Sequence, residues 1–167
     1  LAAMDVPIIV SEGGYINAAG PYATGNYNLV GDELNDEAIR AFISFDITGL
    51  SGTNIASATL TCNTYTTFGD PILFTPLWIS SVSWEPGPIV SPADYNLSGD
   101  PIDNFSLSSF ICDSPKLKLY LQNAIDGGRN RFQIMMFFTG LASDADGFSD
   151  YWGYRDDSVN LNITYTP

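Results

Sequence analysis

The sequence contains no histidine, and this absence limits the chemistry that the chain could perform. A Ser-His-Asp triad cannot be assembled, and a catalytic cysteine would lack its imidazole partner. No GxSxG, HExxH or phosphate-binding glycine loop occurs either. The 19 acidic residues leave a carboxylate pair for glycoside cleavage open, but no pair stands in an apolar setting that would raise one pKa selectively. We therefore predict that the protein is not an enzyme.

Basic residues are also scarce, with six Lys and Arg against 19 Asp and Glu and a net charge of −13. The six are scattered rather than grouped in a stripe, which argues against binding to a nucleic-acid backbone. The sequence has no run of about 18 apolar residues that could span a bilayer. We expect no nucleic-acid partner and no membrane insertion. Cations, neutral glycans and protein surfaces are the favoured partners, although the acidity is also compatible with solubility alone.

Charged residues of either sign make up only 15% of the chain. Asn, Ser, Thr and Gly fill the polar positions in which intracellular enzymes more often use Lys and Glu. This composition favours an extracellular or cell-surface location. Removal of a secretion signal peptide is the simplest origin of a chain that begins at Leu1, and trimming of an expressed chain is the alternative.

There are only two cysteines, Cys62 and Cys112. An even pair in a secreted chain predicts one disulfide. The alternative is a buried free thiol, because Cys62 falls on the apolar face of its predicted strand. Two cysteines without histidine are too few for a zinc site.

What the sequence does have is alternation of apolar and polar residues with a period of two. In residues 39–47, IRAFISFDI, every second side chain is apolar. Residues 55–65 repeat the pattern, with Ala56, Ala58, Leu60 and Cys62 on one face, and residues 159–165 alternate in the same way. These are strands with one face on a core. Further strands are predicted within 72–84 and 131–138, and a long loop at 85–104.

One helix is predicted near residues 114–126. Ser114 is a cap residue before a proline at the first helical position, the apolar residues that follow are spaced by fours, and Gly127-Gly128 ends the segment. Many short strands and one short helix predict an all-β fold, an antiparallel β-sandwich of jelly-roll type. We assign residues 9–167 to this single domain and residues 1–8 to an N-terminal extension.

The run IRAFISFDITGLSGTNIASATLTCNTY resembles the central signature of the DNRLRE domains, a family also grouped with carbohydrate-binding modules. That signature has an Arg, an apolar strand ending in Phe-Asp, a Leu-Ser-Gly turn and an Ile-x-Ser-Ala-x-Leu strand. The matching positions are Arg40, Phe45, Asp46, Leu50, Ile55, Ser57, Ala58 and Leu60. SEGGYIN, GNYNLVGD and SSVSWEP resemble other family segments, and YWGYRDDSVNLNITY resembles its closing pattern.

The resemblance spans roughly residues 9–165 and implies a secreted or cell-surface β-sandwich without catalysis. Some members of this family look like glycan-binding modules attached to polysaccharide-degrading enzymes. Others look like parts of microbial surface proteins.

The first ten residues, LAAMDVPIIV, precede most of this resemblance and are strongly apolar. They could form the first strand of the same domain. In a second alternative residues 8–10 belong to the domain and residues 1–7 reach into a neighbouring subunit by β-strand addition, which repeated head to tail makes a filament. Order imposed only by crystal packing is the third alternative. The residues that would carry assembly are Leu1, Ala2, Ala3, Met4, Val6 and Ile8.

Two acidic segments are candidate calcium sites, since calcium prefers six to eight oxygen ligands. SDADGFSD at residues 143–150 supplies Asp144, Asp146 and Asp150, and GDELNDE at residues 31–37 supplies Asp32 and Asp36. The alternative for each segment is a solvated acidic turn.

The aromatic cluster Tyr151, Trp152 and Tyr154, next to Arg155, is the best candidate for a glycan-binding platform. Packing at the edge of the sandwich is the alternative, because aromatic residues commonly fill β cores. Three Asn-x-Ser/Thr sequons, at Asn96, Asn104 and Asn162, are candidate glycosylation sites.

The absence of catalytic residues and the apolar N-terminal segment lead to the functional hypothesis. We predict an extracellular structural protein, a subunit of a surface filament, sheath or similar assembly held by strand or edge complementation. Its main partner would be further copies of itself. The alternative is a non-catalytic carbohydrate-binding module whose partner is a polysaccharide.

Overall fold

The computed structural model describes residues 1–84, 88–139 and 143–167. In these ranges two antiparallel sheets and one α-helix share a hydrophobic core, which confirms the all-β, sandwich-like prediction. The strands are β1 (Ala2–Asp5), β2 (Gly14–Asn17), β3 (Tyr22–Thr24), β4 (Tyr27–Asp32), β5 (Ala38–Asp46), β6 (Asn54–Cys62), β7 (Thr66–Phe68), β8 (Leu77–Val82), β9 (Asp100–Phe105), β10 (Phe110–Cys112), β11 (Arg131–Phe138), β12 (Asp150–Arg155) and β13 (Val159–Thr166).

The smaller sheet has the strand order β1-β13-β6-β10. The larger has the order β7-β12-β4-β5-β11-β8-β9, and β2 also pairs with β5 and carries β3 at its far side. Side chains from both sheets fill the main core, among them Phe45, Leu60, Phe132 and Leu161, which are all fully buried. Alternation in β13 is as predicted, with Val159, Leu161 and Ile163 inward.

Strand β5 is buried on both faces, although its sequence predicts one polar face. Phe42 belongs to a second apolar group, here called the outer cluster, which lies on the opposite side of the large sheet from the main core. Its members are Ile16, Phe42, Val82, Trp84, Val90 and Met135. Residues 88–97 of the predicted long loop help to cover it, where the Trp84 indole N–H donates to the Pro88 carbonyl at 2.9 Å.

The register of β6 changes near its start. Ser57 pairs with Thr164 but Ile55 pairs with Tyr165, so Ala56 is the extra residue of a bulge. The bulge turns Ala56 out to solvent and buries Ile55. The predicted inward position of Ala56 is therefore wrong, while those of Ala58, Leu60 and Cys62 are right.

The predicted helix is present as α1 (Pro115–Asp126). The Ser114 hydroxyl accepts the backbone N–H of Lys116, so the predicted cap is formed. Its apolar face, which includes Leu117 and Leu121, is buried in the main core. Gln122 ties the helix to the start of β6, since its side-chain oxygen accepts the Ile55 N–H at 2.7 Å.

The N-terminal segment belongs to the chain's own sheet. β1 pairs with β13 in a continuous antiparallel register from Ala2 to Asp5. The Val6 N–H then donates to the Leu161 carbonyl at 2.8 Å, and the Val6 side chain is buried in the main core. This is the first of the three alternatives, so the boundary predicted after residue 8 is not a break in the fold. In this conformation residues 1–8 are not free to act as a donor strand.

Both cysteines are free thiols, so the predicted disulfide is not formed. They lie on adjacent strands, but Cys62 pairs with Phe110 and Cys112 pairs with Leu60, which places the two cysteines on a diagonal. Diagonal residues are separated by roughly 7–8 Å. A disulfide needs Cβ atoms about 4 Å apart. Burial raises the pKa of the Cys112 thiol to about 11 and raises that of Cys62 well above its ordinary value.

We expect the native protein to resist labelling by a colorimetric disulfide reagent at about pH 8, because both thiols are buried and protonated. After unfolding in guanidinium without reductant, both thiols should react. Thiol quantification before and after unfolding checks this. If the unfolded chain yields no thiol until a reductant is added, Cys62 and Cys112 are bridged and the assignment is wrong.

Candidate functional site

The large sheet divides beside β5, and a groove opens at the division. Residues 38 and 39 of β5 pair with β4, whereas residues 39–42 pair with β2. β4 continues with β12 and β7, while β2 carries β3 in a separate hairpin. The space between, here called the aromatic groove, has a volume of about 300 Å³. Its lining residues are Tyr15, Ala23, Thr24, Asn26, Tyr27, Leu29, Thr66 and Tyr151.

Two pairs of aromatic rings border this groove. Tyr151 stacks on Phe68 with ring centroids 5.6 Å apart and an interplanar angle of 13°. Tyr27 meets Tyr65 edge to face at 6.1 Å. About half of the surface of Tyr27, Tyr65 and Phe68 is exposed. The groove therefore presents aromatic surface to solvent in a part of the sheet that the outer cluster does not cover.

Arg155 orders one of these pairs. Its guanidinium carbon lies 4.8 Å from the centroid of the Tyr65 ring and 5.9 Å from that of Tyr27. Asp157 lies 3.5 Å from the Arg155 Nε atom. Cation–π attraction to both rings holds them at the rim of the groove, and the nearby carboxylate offsets the positive charge.

Gly153 lets two groove-lining side chains, Leu29 and Thr66, approach β12 closely. It lies between Tyr151 and Arg155 on the same face of β12, which faces away from the main core. A Cβ atom at this position would lie 2.6 Å from the Thr66 methyl carbon and 3.0 Å from a Leu29 methyl carbon. Any larger residue there would push into the side chains that line the groove.

Only half of the predicted glycan-binding cluster reaches the groove. Tyr151 lines it, and Arg155 lies at its rim against the rings of Tyr27 and Tyr65. Trp152 and Tyr154 point into the main core and are 4% and 0% exposed. Trp152 packs on Phe138, and the Tyr154 hydroxyl donates to the Ser108 carbonyl at 2.6 Å. The assignment of Trp152 and Tyr154 to a sugar platform is therefore wrong, because successive side chains of a strand face opposite sides of the sheet.

The sequence reasoning missed most of the groove. Tyr15, Tyr65 and Thr66 come from strands and turns that are distant along the chain, and no local motif connects them. The available signal was the alternation in β12, which separates Tyr151 and Arg155 from Trp152 and Tyr154. Tyr27 lies in a Gly- and Asn-rich segment, GNYN, which gives no indication of its neighbours in the fold.

The two acidic segments, predicted as separate candidates, come together at the end of the β4–β12 pair. Asp32 is the last residue of β4 and lies opposite Asp150, the first residue of β12. Carboxylate oxygens of Asp32, Asp36 and Asp144 lie within 4.8 Å of one another, and so do those of Asp144, Asp146 and Asp150. We call these five residues the acidic cluster. They are the described residues best placed to hold a cation.

Backbone amides join the two acidic segments. The Asp150 N–H donates to Asp32 Oδ1 at 2.9 Å, and the Gly147 N–H donates to Asp36 Oδ1 at 2.9 Å. Burial raises the pKa of the Asp32 carboxyl, and the negative charges of Asp150 and Asp144 raise it further. The pKa of Asp144 is raised as well, by partial desolvation and by its acidic neighbours.

The remaining predicted sites lie elsewhere on the surface. The three sequon residues Asn96, Asn104 and Asn162 are exposed, and their glycosylation stays a prediction. Of the predicted assembly residues, Leu1 and Ala3 are exposed, Ala2, Met4 and Ile8 are half-buried, and Val6 is buried.

No protein-family model matches this sequence, and no curated protein matches it. The resemblance to DNRLRE domains therefore stays a prediction from the residues quoted above. None of the helices in the described ranges is long and apolar enough to cross a membrane.

The opposite orientations of Tyr151 and Trp152 predict losses of stability of different size. Trp152→Ala should lower the free energy of unfolding by about 3–5 kcal/mol, because it removes a buried aromatic side chain from the core. Tyr151→Ala should cost less than about 1.5 kcal/mol, because its ring is only half-buried at the groove. Urea denaturation of both variants checks this, and equal losses would contradict the assigned orientations.

Proposed function

We propose that this chain is a non-catalytic module that binds a neutral polysaccharide in the aromatic groove. The observation that carries the proposal is the exposed aromatic surface of Tyr27, Tyr65, Tyr151 and Phe68 around an open groove. Sugar rings have C–H faces that pack on the electron-rich faces of aromatic rings.

Polar groups beside the rings supply the orientation that sugar hydroxyls need. Thr24, Asn26 and Thr66 line the groove and offer hydroxyl and amide groups that both donate and accept hydrogen bonds. This mixture of apolar surface and a few polar groups is typical of ligand-binding clefts. Its size, about 300 Å³, lies at the lower end of the range for such clefts.

Charge favours a neutral ligand over an acidic one. The net charge of −13 repels polyanions at long range. Arg155 borders the groove, but Asp157 lies beside it. The described residues that line the groove include no carboxylate, so the lining offers no acid–base pair for glycoside cleavage. This supports binding without hydrolysis.

The resemblance to DNRLRE domains supports the same proposal, since part of that family looks like glycan-binding modules. An extracellular or cell-surface location accompanies it, because polysaccharides of this kind are encountered there. The low content of Lys and the abundance of Asn, Ser and Thr fit that location.

Affinity gel electrophoresis against a panel of neutral polysaccharides tests the proposal, with xylan, glucomannan, β-glucan and galactan as the probes. We expect at least one gel to retard the wild-type chain. Tyr27→Ala and Tyr151→Ala should each weaken that binding about tenfold or more, because loss of a central aromatic contact costs about 2 kcal/mol.

Tyr22→Ala is the matched control. Tyr22 is 49% exposed, against 50% for Tyr27, but it does not line the groove. Its replacement should leave retardation unchanged. The proposal fails if no neutral polysaccharide retards the wild type, or if Tyr22→Ala weakens binding as much as the groove variants.

The edge strand β1 supports a second candidate, assembly of copies into a surface filament or sheath. β1 pairs with β13 on one side only, so in the described structure its outer edge offers free backbone groups. The backbone N–H groups of successive residues in a strand point alternately to its two sides. The Val6 N–H points toward β13, where it donates to the Leu161 carbonyl, so the N–H of Ala3, three residues earlier, points to the outer edge. Assembly would then use the open edge, with β1 still in its own sheet.

Ala3→Pro tests this candidate, because it removes an outward N–H and leaves the ladder to β13 intact. If copies assemble through this edge, the variant should sediment as a monomer while its unfolding midpoint stays near that of the wild type. Ala3→Ser keeps the N–H and should still assemble. Analytical ultracentrifugation and electron microscopy provide the readout, and a wild type that is monomeric at every concentration rejects the candidate.

A further inference from the structure

We propose that the acidic cluster is a single calcium site that joins the loop before β12 to the end of β4. Its ligands would be the carboxylates of Asp32, Asp36, Asp144, Asp146 and Asp150. Each acidic segment alone is an ordinary surface turn, and the site exists only because the β4–β12 pairing brings the two together. This inference does not rest on glycan binding.

The strongest support is a pair of buried carboxylate oxygens that have no hydrogen-bond partner in the part of the chain that the structure describes. Asp32 is 0% exposed and Asp150 is 4% exposed. Each uses Oδ1 to accept a backbone N–H, from Asp150 and from Asp70 respectively. Each leaves Oδ2 buried, with no hydrogen-bond partner among the described residues. A buried ionised oxygen without a partner is costly, and coordination to a cation is a direct way of satisfying it.

Both residues belong to the close sets of carboxylates described above. Asp32 is in the set with Asp36 and Asp144, and Asp150 is in the set with Asp144 and Asp146. Asp144 is common to both sets. The unpartnered groups are therefore at one end of the strand pair, among three further carboxylates that can move toward a shared ion.

No positive side chain balances this charge among the described residues. The ion pairs there join Arg131 to Glu12 and Asp46, and Arg155 to Asp157. None of them involves the acidic cluster. Five carboxylates at this spacing repel one another, and a divalent cation removes that repulsion as well as filling the coordination sites of the two buried oxygens.

The ligand types select calcium among the common cations. All five side chains offer hard oxygen ligands, and the absence of His and Cys from the cluster disfavours zinc and copper. Calcium accepts six to eight oxygens in irregular geometry, whereas magnesium requires a near-ideal octahedron and keeps most of its waters. A cluster with several carboxylates on a loop and on two strand ends suits the larger, more tolerant ion.

Isothermal titration calorimetry of the chelator-treated full chain with CaCl2 tests the site, together with thermal unfolding in the presence and absence of CaCl2. We expect one calcium per chain, with a dissociation constant on the order of 10⁻⁵ to 10⁻³ M. Calcium should raise the unfolding temperature, because it binds only the folded chain. MgCl2 should bind at least tenfold more weakly.

Asp144→Asn is the principal variant, because Asp144 is common to both sets of carboxylates and is only half-buried. It should weaken calcium binding at least tenfold and abolish the calcium-induced thermal shift. Without calcium its unfolding temperature should equal or exceed that of the wild type, because the substitution relieves repulsion. A residue with a merely structural role would lower the unfolding temperature with or without calcium.

Asp113→Asn is the matched control, since Asp113 is an exposed carboxylate beside α1 and outside the acidic cluster. Its calcium affinity should equal that of the wild type. The proposal is overturned if calcium gives neither heat nor a thermal shift at about 10 mM, well above the expected dissociation constant. It is also overturned if Asp113→Asn and Asp144→Asn lose binding equally, or if magnesium binds more tightly than calcium.

Discussion

The pairing of β4 with β12 is the contact on which both candidate sites depend. Its register places Asp32 opposite Asp150 at one end and Tyr27 opposite Arg155 at the other. Gly31 makes this close approach feasible, because a Cβ there would collide with the Asp150 carbonyl and its φ of 142° favours glycine. The groove and the acidic cluster therefore both depend on the pairing of β4 with β12.

Uneven covering of the large sheet decides where a ligand could bind. Residues 88–97 and the outer cluster cover the face of β5, β8 and β11 that points away from the main core. The corresponding face of β4, β7 and β12 carries no such cover in the described ranges, and the aromatic rings there stay half-exposed. The part of the sheet that is buried on both faces gives rigid support to the part whose outer face is exposed to solvent.

The N-terminal strand shows how an apolar segment can be explained without a partner chain. Val6 completes the main core, and β1 covers one edge of β13. Because β1 covers β13, the exposed edge on this side of the small sheet is β1 itself. Asp5 lies on this strand, where its side chain accepts a hydrogen bond from Asn162 at 2.8 Å. A charged residue on an exposed edge weakens unwanted pairing, which is one reason to favour glycan binding over assembly.

Local features of the sequence were enough to predict much of the fold. Alternation located β5, β6 and β13, and the apolar run at residues 131–138 located β11. A serine cap before Pro115 located α1 within a residue of its observed start. Each of these signals arises from neighbouring residues, since strand geometry repeats every two residues and a helix cap needs only the first turn. The acidic residues of the cluster were also visible, but as two separate segments.

By itself, then, the sequence determined the all-β class, the single helix, the strong acidity and the types of side chain available for binding. Only the tertiary structure decided which of those side chains meet. It placed Asp32 against Asp150 across a separation of 118 residues, set the two cysteines on a diagonal, and turned Tyr151 outward and Trp152 inward. The physical reason is that strand partners and register are set by packing over the whole core, which no local pattern encodes.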